Sequence, residues 1–316
     1  MPFIPTLSVL VSVYQGEDYL PLFFEQVQAQ TIFPELELVL VLNEPSAKEQ
    51  QLTKEFAARY SEAVQVLIAP RRETLGASWN RAWRAARSPY LALWNIDDRR
   101  VIDSLQRQLA TLEQDPAAML CYGDYVKVSA YGREDGKRRH TPPYQIAHFR
   151  RSFAQGGAFW IFRGEVADQI GVFDEQFRVG ADLEYSFRMA AKELKMARCH
   201  DLLGFFTDAA QGLSTRENAR VAEAERTAIQ LRYGVFDRVR SEHLDEARKM
   251  RLDAIKNGET WIPVTNYLPE HGTYIEKREI LWAVGKIRNA LRGGLHRIGL
   301  LPWFHRVQEM YLKRDL

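Results

Sequence analysis

The sequence predicts an α/β fold: a Rossmann-like, mostly parallel sheet flanked by helices, followed by a C-terminal helical extension. Three observations carry that prediction. Four apolar, strand-like runs alternate with helix-like segments through the N-terminal part of the chain. Each run stops abruptly at polar or charged residues. The C-terminal part loses this alternation and becomes highly charged and amphipathic.

Leu7-Ser8-Val9-Leu10-Val11-Ser12-Val13 is apolar and rich in valine, as a strand requires, and Tyr14-Gln15-Gly16 ends it. Leu20, Phe23, Phe24 and Val27 then recur at helical spacing, with Pro21 in the first turn. Leu36 to Leu42 is the second strand, closed by Asn43-Glu44-Pro45. Ser46-Ala47-Lys48-Glu49 is a capping box opening a helix whose Leu52, Phe56 and Tyr60 share a face. Val64 to Ala69 is the third strand, and the loop from Pro70 to Gly76 carries Arg71 and Arg72. Ser78 to Arg87 is helical, with Trp79, Trp83 and Ala86 on one side. Tyr90 to Ile96 is the fourth strand, apolar enough to be buried on both faces.

After Asp103 a helix shows Leu105, Leu109 and Leu112 on one side and breaks at Pro116. Ala118 to Ser129 reads as a strand, Tyr131 to Lys137 as an exposed turn, and Arg138 to Arg151 as a basic, extended crossing. Gly156 to Phe162 is a loop entering a strand. Glu165 to Ile170 is a short helix stopped by Gly171, and another helix runs from Asp182 through Leu194. Glu217 to Tyr233 and Arg238 to Lys256 both read as charged helices.

The 316 residues, 46% hydrophobic and 27% charged, have ordinary globular composition. A net charge of +2 supplies no global field to attract nucleic acid. Cys121 and Cys199 are far apart and form neither a CxxC pair nor a zinc spacing. No apolar run of about 18 residues is present to cross a bilayer, and no basic leader precedes Leu7, so the expected location is cytoplasmic. The absence of GxGxxG after the first strand argues against a dehydrogenase, and the absence of a Gly-rich basic loop there argues against a nucleotidyltransferase.

The fourth strand runs into Asn95-Ile96-Asp97-Asp98. The C-terminal ends of strands are where open α/β sheets bind ligands. Adjacent carboxylates repel unless a cation or hydrogen-bond donors offset them, and a divalent metal is one such cation. A helix-approach turn before Asp103 is the alternative.

Several motifs in order resemble the inverting family 2 glycosyltransferases of the GT-A fold. Val11-Ser12-Val13-Tyr14-Gln15 resembles the family's first strand and turn. Asn43-Glu44-Pro45-Ser46 stands where the family has Asp-Asp-Gly-Ser. Gly76 and Asn80 match the loop and helix before the fourth strand, and Asn95-Ile96-Asp97 matches the DxD motif. Gly171-Val172-Phe173-Asp174-Glu175 and Gly180-Ala181-Asp182-Leu183-Glu184 match the two later motifs. The resemblance covers roughly residues 6 to 215 and sets the expected division: a GT-A catalytic domain over 1–215 and a helical region with a basic amphipathic tail over 216–316.

The resemblance implies transfer of a sugar from a nucleotide-diphosphate donor, expected to be UDP-linked, to a glycan or lipid-linked acceptor. Such transfer needs a general base for the acceptor hydroxyl and charge stabilisation for the departing diphosphate. By resemblance Asp182 is the base. Val13, Tyr14, Gln15, Glu17, Asn43, Glu44, Arg72, Gly76, Asn80, Asn95, Ile96 and Asp97 hold the donor, and Asp97 binds a divalent metal, Mn²⁺ or Mg²⁺. Gly157, Trp160 and Glu184 meet the acceptor, Trp160 as a stacking platform for a sugar ring. The chain departs from the pattern at Asn95, an amide in place of the first acid, and at Ala181, also in place of an acid. It also lacks the histidine often found before the segment matching Leu213-Ser214. These departures keep open a second reading, a catalytically impaired nucleotide-sugar-binding protein of the same fold.

From Lys277 onward nine Lys or Arg face three acids, a net +6 interleaved with Leu281-Trp282, Ile287, Leu291, Ile298, Leu300-Leu301 and Trp303-Phe304. Basic amphipathic segments of this kind lie on anionic membranes; a packed lid or a dimer face is the other expectation.

Overall fold

The computed structural model describes residues 3–146, 159–208, 219–269, 271 and 275–297. In chain order the elements are β1 (Leu7–Val13), α1 (Leu20–Ala29), β2 (Leu36–Asn43), α2 (Ala47–Arg59), β3 (Val64–Ala69), α3 (Leu75–Ala85), β4 (Tyr90–Leu93), β5 (Arg99–Arg100) and α4 (Ser104–Gln114). Then follow β6 (Ala118–Val128), β7 (Lys137–Arg139), β8 (Ile161–Arg163), α5 (Val166–Ile170), α6 (Ala181–Ala191), β9 (Lys195–Thr207), α7 (Ala219–Arg232), α8 (Leu244–Ala247), β10 (Ala254–Asn257), β11 (Thr260–Pro263) and α9 (Ile275–Arg297).

The main sheet has the order β3-β2-β1-β4-β8-β6-β9-β5, with β7 paired to β6. β3, β2, β1 and β4 are parallel, in register from Val13 beside Leu42 to Asn43 beside Ala69. Their C-terminal ends, and the turns that follow, therefore share one rim. The single inserted antiparallel strand β8 separates β4 from the parallel β6–β9 pair. This is a mixed, mostly parallel α/β sheet flanked by helices.

Alternation along the strands divides the core. Val9, Val11, Val13, Leu38, Leu40 and Leu42 face Phe23, Phe24, Phe56, Leu105 and Leu109 of α1, α2 and α4. Leu10, Val39, Val41 and Leu93 face Trp79 of α3, Phe173, and Tyr185 and Met189 of α6. That second cluster continues without interruption into Ala228, Ile229 and Leu231 of α7 and into Leu244, Ala247 and Leu252. The segment after residue 219 is thus welded to the sheet by shared burial.

Three elements differ from the sequence expectation. β4 ends at Leu93; the Trp94 N–H still donates to the Leu10 carbonyl at 3.4 Å, and its indole N–H donates to the Asp98 carbonyl at 3.0 Å, closing the Asn95–Asp98 turn. Lys195 to Thr207 is a long strand. Arg198, His200 and Asp201 interrupt its apolar pattern, and its register with β6 shifts near Gly123 and Asp124. Arg238 to Lys256 is not one helix. It forms short turns, the four-residue α8 and the first strand of a β10–β11 hairpin, whose turn uses Gly258 at φ +61°.

Candidate active site

The rim begins at the turn after β1. Gln15 takes φ +51°, and the Gly16 N–H donates to Glu49 Oε1 at 2.6 Å, tying this turn to the capping box of α2. A Cβ on Gly16 would stand 2.4 Å from the end of the Ile96 side chain, so the β1 turn and the β4 turn close on each other here. Val13 is buried beneath them. Glu17 accepts the Ser46 hydroxyl and lies 3.6 Å from Lys48. The Arg72 guanidinium sits 3.9 Å from the centroid of the half-buried Tyr14 ring, which brings the β3 loop over the β1 turn.

At the end of β2 the side chain of Asn43 is committed elsewhere. Its amide donates to the Glu73 carbonyl at 3.0 Å, and its oxygen accepts the Glu73 N–H at 2.9 Å. Asn43 therefore clamps the β3–α3 loop, and a role in holding the base or a ribose through that side chain is corrected. Glu44, exposed at φ +54°, remains on the rim. Asn80 is likewise a clamp, fully buried: it donates to Phe173 O and Glu175 Oε1 and accepts the Phe173 N–H at 3.0 Å. The contact predicted between Asn80 and the donor is corrected for the same reason, since no face of its amide is open. Gly76 lies against α6, where a Cβ would stand 3.2 Å from the Ala181 side chain.

The Asn95–Asp98 turn carries unequal carboxylates. Asp98 is buried; it accepts the Thr207 N–H at 2.9 Å and the Asn95 amide at 3.3 Å, and so pins the end of β9 to this turn. Burial, and then the charge of Asp97, hold the Asp98 carboxyl well above the usual range. Asp97 is half-buried, and burial raises it too. Among the described residues Asp97 makes no ion pair, and no three His, Cys, Asp or Glu side chains converge. Two neighbouring carboxyls with raised proton affinity suit a divalent cation whose other ligands are phosphate oxygens and water. The Tyr19–Tyr131 edge-to-face pair, centroids 5.0 Å apart, stands within electrostatic reach of Asp97.

Asp182 is half-buried in the first turn of α6, and its Oδ1 accepts the Leu183 N–H at 2.7 Å. Burial pushes its carboxyl up to about 6; the Leu183 N–H opposes that shift and the charge of Glu225 reinforces it. Glu225 reaches from α7 to the loop before Asp182 and accepts the N–H groups of Arg178, Val179 and Gly180 at 2.7, 2.8 and 2.7 Å. Neither Glu225 nor Thr207 was found by sequence reasoning. Glu225 is one acid among many on a charged helix, and only the fold brings it to this loop.

Two acceptor expectations are corrected. Trp160 is fully buried beside Phe159 and Phe162, and its carbonyl accepts the Leu93 N–H at 3.0 Å, so it offers no face to a sugar. Glu184 is fully buried and paired with both Arg188 and Arg232, while Tyr233 donates to it as well. Those cations hold its carboxyl low despite burial, which removes it both as a base and as an acceptor contact. Gly157 lies outside the described residues.

Known proteins agree with this architecture. Residues 8–171, just over half of the chain, match the sequence profile of "Glycosyl transferase family 2". A 110-residue stretch is 27% identical to "Putative glycosyltransferase EpsE" of Bacillus subtilis (strain 168); it spans 35% of this chain and 39% of that relative. The structure is similar to S. aureus TarS 1–349 in complex with UDP-GlcNAc, at TM-score 0.56 and 13% identity, over 92% of both chains. It is also similar to the mannosyltransferase PcManGT from Pyrobaculum calidifontis in complex with GDP-Man and Mn²⁺, at TM-score 0.50 and 14% identity, over 96% of this chain and 80% of that one. With the profile covering the rim from β1 to the Asn95–Asp98 turn, this chain belongs to glycosyl transferase family 2.

Proposed function

We propose that the protein transfers a sugar, with inversion, from a nucleotide-diphosphate donor to a glycan or lipid-linked acceptor. The observation that carries this reading is Asp182: a carboxylate with raised proton affinity at a helix start, backed through Ala181 by Gly76 of the rim that also holds Asp97. A base tuned near neutrality both accepts a hydroxyl proton and stays ionised at working pH. In the reaction Asp182 takes the acceptor O–H proton, and the acceptor oxygen bonds to the anomeric carbon. The bond from that carbon to the diphosphate oxygen breaks, and the nucleoside diphosphate leaves with the electron pair. Arg72 above Tyr14 would face the departing charge. Asp97 would hold a divalent cation, which when bound supplies charge stabilisation for the diphosphate.

The bound nucleotides named for the similar structures support a UDP- or GDP-linked donor, and UDP is our choice. The catalytic unit over 1–215 and the region over 216–316 belong to the same proposal, as does a peripheral position on an anionic membrane face. No helix among the described residues is long and apolar enough to cross a membrane.

The test is release of nucleoside diphosphate from a panel of UDP- and GDP-sugars with Mn²⁺ or Mg²⁺, followed by proton NMR of the product's anomeric configuration. Transfer with inversion that Asp182→Asn abolishes is expected. Unchanged turnover in Asp182→Asn would sink the base assignment. Donor binding without turnover would favour the second reading, to which Asn95 and Ala181 point.

A further inference from the structure

α9 is fastened to the body along one side. Arg278 is buried and donates to Asp253 at 2.8 Å, and the Arg248 guanidinium lies 4.7 Å from the Trp282 ring. A Cβ on Gly285 would stand 2.2 Å from the Leu244 side chain, so the helix axis approaches α8 closely there. Leu281 and Trp282 are half-buried against the core. These contacts set the rotation of the helix, and with it which residues point away.

Those that point away are Ile280, Val284, Ile287 and Leu291, at 63%, 55%, 63% and 62% exposure. Their spacing of four, three and four residues makes one continuous stripe along three turns of helix. The stripe differs from the set that interleaving in sequence suggested, because Leu281 and Trp282 face the protein. Lys277 and Lys286 are exposed on the same helix. Such a stripe of large aliphatic side chains on a helix fixed at the surface marks an interaction site.

We infer that this stripe is the surface by which the protein lies on an anionic lipid bilayer, with Ile280, Val284, Ile287 and Leu291 entering the headgroup–acyl boundary. Charge selects the occupant. α9 itself carries six Lys or Arg against Glu276 and Glu279, a net +4, in a chain whose total is +2. A second copy docked stripe to stripe would bring two such basic helices together and pay like-charge repulsion. An anionic bilayer offers opposite charge and an apolar layer at once. The inference deepens the peripheral-membrane part of the reading above, but vesicle binding is measured without sugar transfer, so either can fail alone.

The experiment is co-sedimentation of the full chain with phosphatidylcholine vesicles and with vesicles that also contain phosphatidylglycerol. The expected result is binding to the anionic vesicles only, weakened by salt, and reduced about tenfold or more in Ile280→Asp with Ile287→Asp. Both positions are exposed, so the doubly substituted chain keeps the wild-type melting temperature. No binding by the wild-type chain, or equal binding by the doubly substituted chain, overturns the inference. A dimer lost in that variant with no vesicle binding assigns the stripe to a second copy and overturns it. A marked fall in melting temperature shows the stripe covered by the chain's own residues, which also overturns it.

Discussion

The Gly180 N–H donates to Glu225 Oε2 at 2.7 Å, and that carboxylate also takes the N–H groups of Arg178 and Val179. One acid on α7 thus holds the backbone immediately before Asp182, and there is little room for anything larger than glycine at 180: a Cβ would stand 3.2 Å from Ile229 and 3.3 Å from Glu225. With Asp182 as the proposed base, Glu225 is its positioning residue, and both lie beyond residues 8–171 that match the family profile.

Removing the Glu225 charge while keeping its shape is therefore expected to alter the pH response. With Asp182 as the proposed base, which must be ionised to accept a proton, the acid limb of kcat/KM in the wild type is expected to have its midpoint near 6. In Glu225→Gln the repulsion is gone, so the midpoint moves to lower pH. Glu225→Ala leaves three N–H groups without their acceptor and is expected to lower kcat about tenfold or more, along with stability by roughly 1–3 kcal/mol. A pH profile identical to wild type in Glu225→Gln would reduce the residue to a structural brace.

Asp182→Asn is expected to lose activity by about 10²-fold or more and yet to gain stability. The folded-state carboxyl is raised to about 6 from 3.8. Ionising it in the folded protein therefore costs stability. That cost is absent below the unfolded value, grows as pH rises between the two, and is complete above about 6. The asparagine removes it, so its melting temperature exceeds wild type at pH 8 by the equivalent of up to about 3 kcal/mol, and the difference vanishes near pH 4. Thermal denaturation at the two pH values checks the sign.

At the Asn95–Asp98 turn, Asp97→Asn should abolish any stimulation of donor binding by Mn²⁺. Asn95→Asp places a third carboxylate beside Asp98, whose Oδ2 now receives the Asn95 amide at 3.3 Å. That substitution is expected to destabilise the metal-free protein and to tighten Mn²⁺ binding in the presence of UDP. Calorimetric titration with and without UDP reads both effects.

Arg232 holds the buried acids of two motifs together, donating to Asp174 at 2.8 Å and to Glu184 at 3.0 Å, and to the carbonyls of Arg251, Leu252 and Ala254. Arg232→Leu strands Asp174 without its cation and is expected to cost about 3–5 kcal/mol, read from urea unfolding. Glu184→Gln with Arg232 intact should lose stability but retain the acid limb near 6, which separates Glu184 from the base.

Trp160→Phe provides the complementary check on the acceptor side. A buried indole gives no face to a sugar, so acceptor KM should stay at the wild-type value while stability falls by roughly 1–3 kcal/mol. A selective rise in acceptor KM would restore Trp160 as an acceptor contact.

The rim was legible in the sequence because strand ends announce themselves. Apolar runs stop at Tyr14-Gln15, Asn43-Glu44 and Asn95, and parallel pairing then puts the stops at one edge. β9 was not legible, since Arg198, His200 and Asp201 break the period that marks a strand and a bulged register with β6 absorbs the irregularity. The β10–β11 hairpin was hidden in a charged stretch that mimics helix. Among site residues, Asn43 and Asn80 were found at the correct loops but with the wrong partners. An amide that binds a ribose and one that clamps a backbone are the same residue type at the same position, and only the bonds made distinguish them.

Local pattern alone determined the four parallel strands β1 to β4, their order along the chain and the edge where polar residues gather. Hydrophobic period and turn chemistry act between near neighbours, and they are written in consecutive residues. Tertiary structure decided which of those polar residues are spent on the fold. It paired Glu184 with Arg188 and Arg232, closed Asn80 on Phe173, buried Trp160, and left Asp182 and Asp97 with raised proton affinity and, among the described residues, no ion pair. A carboxylate's proton affinity depends on its burial and on charges brought in from distant parts of the chain, and Glu225, 43 residues beyond Asp182, is one of them.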